Sequence, residues 1–339
     1  ELYYDNAKKA ETVTGGFTVT GTCTATAFAG DGSALTGLSA GVSSDAQSNT
    51  VAGTEAGDSF SGTDANGNAL FGYQAGTAIT TGDYNVALGR HALKATTTAS
   101  QNVGIGVASL TDNVTGGNNT AVGSNSLQSN TASYNTAFGQ SALTANTTAS
   151  GGVAVGAYAL DANTTGAKNV GIGYYALSTI TTGSDCTAVG YEALKVNTGG
   201  NNTAIGRQTL LDNTSGVGNT AVGSLALYEN TTGDTNTAIG YSALDSNTTG
   251  EHNVAVGYCL YDNTTGSRNT SIGTYSLANN TTANNNVAVG YESLGANTTG
   301  TSNTAVGKDS LLANTTGNSN VAIGIDALTA NTTGYENVA

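Results

Sequence analysis

The chain contains no proline, methionine or tryptophan, only two histidines, and only nine lysine and arginine residues among its 339. Charged residues make up 9% of it while glycine numbers 48, a balance that belongs to no ordinary globular enzyme. Nine dispersed cations against a formal charge of −14 form no patch able to hold a phosphate backbone, so nucleic acid is not an expected partner. No run of about 18 apolar residues is present, and no charged segment followed by an apolar stretch opens the sequence, so no membrane insertion is expected. Cys23, Cys186 and Cys259 are odd in number and share no position in the pattern described below, which fits single small buried residues better than a disulfide framework or a metal site. His91 and His252 are too far apart in sequence to share a site within one chain, and no nucleophile with a positioned base emerges. Catalytic, cofactor and metal sites are therefore all read as none, and the chain as no enzyme.

What is present is a repeat. From Asn68 onward nearly every 17 residues follow the form Asn-(Thr/Val)-Ala-(Val/Ile)-Gly-x-x-(Ala/Ser)-Leu-x-x-Asn-Thr-Thr-Gly-x-x. There are 16 complete units. Those starting at Asn119, Cys186 and Asn253 have 16 residues, yet each recovers the full pattern at the next start. A period that short leaves room for one turn of a solenoid, so function is expected from length and surface. The first residue, Glu1 rather than Met, and a last unit that stops three residues in at Ala339 suggest a segment of a longer chain.

Within a unit, the fourth position is always large and apolar, as at Val256 and Ile323, and is expected to face a core. The second position, Val or Thr in 15 of 16 units, lies on the same face by the two-residue strand period, leaving Ala and the invariant Gly on the outer face. Gly stands at the fifth position in all 16 units, including Gly89, Gly206, Gly257 and Gly324, so either something approaches closely there or the backbone bends. Leu follows in nearly every unit, as at Leu244 and Leu328, and reads as a second inward element; Gly76 is an exception. The Asn that opens the unit, as at Asn253 and Asn320, and the Asn before Thr-Thr-Gly supply turn chemistry and, in a parallel stack with about 4.8 Å between rungs, amide ladders. Two or three aliphatic side chains per unit make a thin core, and the small outer face invites another chain. A homo-oligomer of three parallel chains is expected.

The strings Asn253-Val-Ala-Val-Gly257, Asn202-Thr-Ala-Ile-Gly206 and Asn320-Val-Ala-Ile-Gly324 resemble the head repeats of trimeric autotransporter adhesins of the YadA type. That resemblance implies a left-handed parallel β-roll in a homotrimer. The later half of the unit, with Leu and Asn-Thr-Thr-Gly, is more regular than in those heads. The amino-terminal Leu2-Tyr3-Tyr4-Asp5-Asn6 and the alternating stretch Phe17–Phe28 through Leu38 look like segments of bacteriophage tail fibres. Together these imply an all-β chain with a β-rich fibre segment over 1–38, a Gly/Ser-rich transition containing one degenerate coil over 39–67, and a β-solenoid over 68–339. The implied function is a rod-like extracellular or virion-surface fibre presenting a host-binding tip, with a host glycan or protein as receptor. A bacterial adhesin is the alternative, and an ice-binding solenoid, suggested by the Thr-Thr array, a third.

Among smaller features, Asp64-Ala-Asn-Gly-Asn68 has the look of half a calcium loop without its downstream Glu, and reads as a turn. Glu192, Glu292 and Asp326 occupy one outward position in different coils and read as a solvated face. Tyr174, Tyr191, Tyr241 and Tyr291 directly follow the invariant Gly and form a candidate contact column for sugars or a neighbouring chain.

Overall fold

A computed structural model describes the backbone of Leu2–Tyr4, Ala7–Val13 and Gly16–Val19, and residues 43–61 and 64–339. The chain divides into two units, Glu1–Ser39 and Ala40–Ala339. In the first, β1 (Leu2–Tyr4), β2 (Ala7–Val13) and β3 (Gly16–Val19) form an antiparallel sheet in the order β1-β2-β3. The remainder of the Phe17–Phe28 stretch, the segment to Leu38, and Cys23 lie outside the described residues.

The second unit is a parallel β-solenoid of about 16 turns, with no helix among the described residues. A short β4 (Ser43–Ser44) pairs antiparallel with β5 (Thr50–Ala52), and from β5 to β21 (Val321–Ile323) seventeen three-residue strands stack in parallel, each on the next. Equivalent residues face each other in register, as Thr203, Ala204 and Ile205 pair with Thr220, Ala221 and Val222. The stack begins one coil before the regular repeat: Thr50 donates its N–H to the Asn68 carbonyl, and Asn49 opens a coil of 19 residues.

The strand pleat is the reverse of that expected. The central Ala is fully buried, as at Ala204, Ala238 and Ala255, while the residues before and after it are half-buried or exposed. Val256 and Ile323 therefore face outward; Ile239 is 42% exposed and Leu88 50%. The reason is volume. The coil is one side chain thick, Leu from the opposite wall fills it, and only a methyl fits across from that Leu. The Leu expectation holds: Leu244 and its equivalents are fully buried, and Leu328 in the last coil packs against the same core.

The second coil shows this complementarity by inversion. It carries Leu70 where most coils carry Ala and Gly76 where every later coil carries Leu, and a Cβ on Gly76 would lie 2.8 Å from both Leu70 Cδ1 and Ile79 Cδ1. Large and small have exchanged walls, and the filled volume is kept.

The invariant Gly also serves a purpose other than the one expected. Gly89, Gly206 and Gly257 sit at φ of +139°, +140° and +113°, turning the chain out of each strand. A Cβ on Gly223 would lie 2.3 Å from the carbonyl oxygen of Gly240 in the next coil. The close approach is coil on coil within one chain, so the small outer face prepared for another chain does not exist: Ala points in and Gly touches its own successor. A Cβ on Gly324, at φ +131°, would have no neighbour within 4 Å.

Three further positions lie in the left-handed region in nearly every coil: the Leu itself, with φ from 45° to 57° at Leu277 and Leu244, the second residue after Gly, and the residue before the opening Asn, as at Tyr84 and His252 with φ of 56° and 58°. Each such residue costs about 1–2 kcal/mol. Hydrogen bonds continue through these corners, as when Leu93 donates to the Ser109 carbonyl at 3.0 Å and His91 to that of Tyr73 at 2.9 Å. The whole circumference, not only the strand, is bonded rung to rung.

Both asparagine ladders are present. The opening Asn accepts, through its side-chain oxygen, the backbone N–H of the next opening residue: Asn253 donates to Asn236 Oδ1 at 2.9 Å and Asn320 to Asn303 Oδ1 at 3.0 Å. The second ladder runs amide to amide, with Asn230, Asn247 and Asn263 linked at 2.7 and 2.9 Å. It breaks at Ile180, beside Cys186, which replaces an opening Asn; both are fully buried. The three shortened units absorb their deletion in different places: those of Asn119 and Cys186 at the Thr corner, that of Asn253 between Gly257 and Leu260.

Candidate functional site

The corner after the invariant Gly carries a concentration of aromatic side chains that the coil does not use for its own packing. Tyr174, Tyr191, Tyr241 and Tyr291 are 44%, 46%, 62% and 45% exposed. They fall into two groups along the stack rather than one column. In the first, Tyr174 stacks on Tyr191 at 5.9 Å, and Tyr158 on Tyr175 at 5.0 Å with their planes 12° apart. In the second, Tyr241, Tyr258, Tyr275 and Tyr291 succeed one another at centroid distances of 6.0, 5.5 and 6.1 Å, and Tyr261 stacks on Tyr258 at 4.9 Å.

Tyr158, Tyr175 and Tyr275 were not anticipated from the sequence. They occupy the left-handed position one residue further on, with φ of 58°, 55° and 60°, which turns their rings back beside those of the preceding position. Their signal in the sequence is weak, because other coils place Gln, His, Ala, Ser or Glu there.

The first group is edged by an ion pair. Lys195 Nζ lies 2.7 Å from Glu192 Oε1 and 5.4 Å from the Tyr175 ring centroid, and Gln208 donates to Glu192 Oε2 at 3.0 Å. The Lys195 hydrogen bond holds the Glu192 carboxyl below its ordinary range. The hydrogen bond with Tyr174 raises the Tyr175 phenol, and that with Glu292 raises Tyr291. These phenols stay protonated at neutral pH, so the clusters offer neutral rings for stacking and hydroxyls for hydrogen bonding.

Other sequence candidates are spent within the fold. Asn68 of the half calcium loop donates to Asn49 Oδ1 and the Gly82 carbonyl, and the backbone N–H of Asn66 is taken by Asp83. The Asn of the Asn-Thr-Thr strings before the last coil, such as Asn146 and Asn247, is fully buried, leaving no amide there for a sugar to be joined to. The first Thr hydroxyl of the Thr-Thr corner bonds the next coil, Thr147 to the Thr164 carbonyl at 3.0 Å and Thr231 to that of Thr248 at 2.9 Å, so that column is not a free hydroxyl array. Cys186 and Cys259 are buried and burial pushes their thiols up, away from the reactive thiolate.

The outward strand face is the second extended feature. Phe138, Val155, Ile172, Ile205, Ile239 and Ile272 are each 38–46% exposed at the same position of their coils. No protein-family model matches the chain, and no curated protein matches it either.

Proposed function

We propose that this chain is a non-enzymatic structural fibre protein whose coils assemble as a parallel homotrimer through the outward strand face. The carrying observation is that face: a row of aliphatic and aromatic side chains, one per rung, partly exposed along the stack and about two-fifths exposed at Phe138, Val155, Ile172, Ile205, Ile239 and Ile272. Soluble monomers seldom leave a contiguous apolar strip of such length uncovered, and three identical strips around an axis cover one another. Support for mechanical reach comes from the backbone bonding of every rung to the next, with rungs about 4.8 Å apart giving a stack on the order of 75 Å long. Such a rod suits an appendage at a virion surface or outside a cell, holding a host-binding tip, with a glycan or protein receptor at that tip. A phage tail fibre accounts for the antiparallel amino-terminal sheet as well as for the repeat.

The second reading, a bacterial surface head of the trimeric autotransporter type, uses the same coil and the same face. The Asn-Val-Ala-Val-Gly strings favour it. The gene's flanking regions separate the two: a membrane-anchor barrel follows an adhesin head, and a chaperone segment or virion adaptor follows a fibre. Assembly is tested by the native mass in solution. The expected particle is three times the 33.4 kDa chain, and a monomeric species overturns the reading.

A further inference from the structure

The residue directly after the core Leu faces outward and forms its own column along the stack. Its two smallest members are consecutive: Ala278 and Gly295, bracketed by Tyr261 on one side and Leu312 on the other. Everywhere else the column carries Ser or something larger. The two missing side chains leave a cleft of about 230 Å³ with Ala278 and Gly295 as its floor. The column is therefore notched at one place in the solenoid, beside the second tyrosine group.

The walls of the notch have mixed chemistry. Tyr261 and Tyr275 present ring surface, Leu312 closes the far end, and Asn279 and Glu292 supply an amide and a carboxylate at the edge. Tyr275 is 37% exposed, and its neighbours Tyr258 and Tyr291 lie at 71° and 79° to its plane, so neither stacks flat on its ring. Drug-sized ligands occupy about 300–1,000 Å³, so this cleft suits something smaller. A pyranose ring matches it: one face of C–H groups to lie on an aromatic ring, and an equatorial rim of hydroxyls to bond an amide and a carboxylate. Glu292, with Asp262 next to Tyr261 and a chain charge of −14, repels anionic sugars.

We propose that the Ala278–Gly295 notch binds a single neutral hexopyranose unit of a glycan, with Tyr261 and Tyr275 as stacking surfaces and Glu292 and Asn279 as hydroxyl partners. Every residue comes from one chain, so the site stands or falls separately from trimer assembly. Two variants test it without altering the repeat's own chemistry. Gly295→Leu fills the notch with the residue that Leu211 and Leu312 already place at this position, and Gly295 has no positive φ to forbid it. Tyr275→Ala puts at the left-handed position the residue that Ala108 carries there at φ 56°.

Saturation-transfer NMR on the whole chain, with N-acetylglucosamine, galactose, glucose and N-acetylneuraminic acid as separate probes, reads the result. At least one neutral sugar is expected to receive saturation from the native protein at pH 7, falling about fivefold or more in each variant. N-acetylneuraminic acid is expected to receive none. Silence from all three neutral sugars, signals unchanged by both variants, or preferential binding of the acidic sugar overturns the assignment. Unchanged circular dichroism of the variants ties a lost signal to the notch.

Discussion

A leucine held at φ near +50° in coil after coil is an unusual demand, and it is met because Leu branches at Cγ, leaving Cβ free to pass the backbone. Where that position holds Gly57 or Gly76, the left-handed backbone is kept and the core is filled from elsewhere. Glycine is thus optional at one left-handed position and obligatory at another. At Gly223, φ is +129° and an added Cβ meets the Gly240 oxygen; at Gly218, φ is +71° and nothing lies nearer than Thr235 Oγ1 at 3.9 Å. Gly223→Ala is expected to cost about 2–4 kcal/mol, and Gly218→Asn less than about 0.5 kcal/mol. Denaturant midpoints of the two variants check the contrast. Carboxylates give a second residue-scale test. Burial raises the Asp161 pKa above 3.8, and its Oδ1 is buried without a partner. A raised carboxyl penalises the folded state once pH climbs past the unfolded value and adds nothing below it. Asp161→Asn is expected to raise the denaturant midpoint at pH 7, with the gain vanishing at pH 3; an equal gain at both pH values excludes ionisation as the cause.

At the scale of one coil, the unit of stability is the pair formed by the central strand residue and the Leu opposite. Leu70 and Gly76 test it, since the second coil reverses the pair. Leu70→Ala alone opens a cavity at a cost of about 2–5 kcal/mol. Gly76→Leu alone overfills the coil by about 1–3 kcal/mol. Combined, they restore the Ala and Leu pairing of the later coils, such as Ala87 with Leu93, so the double variant is expected to be more stable than the sum of its parts, more fully so with Ile79→Asn. Additive losses in a double-mutant cycle would mean the two residues do not share a volume. This pairing also explains what the sequence concealed. The 17-residue period, the parallel stacking, the two Asn ladders and the inward Leu were all legible, since each leaves a repeated residue type at a fixed position. The direction of the pleat was not. Alternation of Ala with Val and Ile separates two apolar faces by size alone, and greater hydrophobicity pointed Val256 and Ile323 inward when the space available was that of a methyl group. The tyrosine groups were half legible for a related reason: neighbours in space come from two adjacent positions, and only one of these is enriched enough in Tyr to be noticed.

At the scale of the whole solenoid, reversing the pleat moves the argument for assembly to a different set of atoms. Ala and Gly no longer prepare a contact with another chain, because both are used up inside the stack. The β-branched residues do, and they form a continuous strip with the Val and Thr of the second strand position beside it. Substitutions there separate assembly from folding in a way that a Gly variant cannot. Ile205 and Ile239 are 41% and 42% exposed, two rungs apart on that strip, and neither contributes to the coil's interior. Ile205→Lys with Ile239→Lys places two long cations on each strip, so three chains brought together would bury three like charges at each of two levels, two rungs apart. Desolvating unpaired charges in an interface costs several kcal/mol, more than a strip of half-exposed aliphatics returns over the same rungs. Sedimentation is expected to find the variant at the mass of one chain while its far-ultraviolet dichroism still reports β-structure. A variant that keeps the native mass would place the contact on another face, and one that loses its β-signal together with its mass would mean that the coils do not stand without their neighbours.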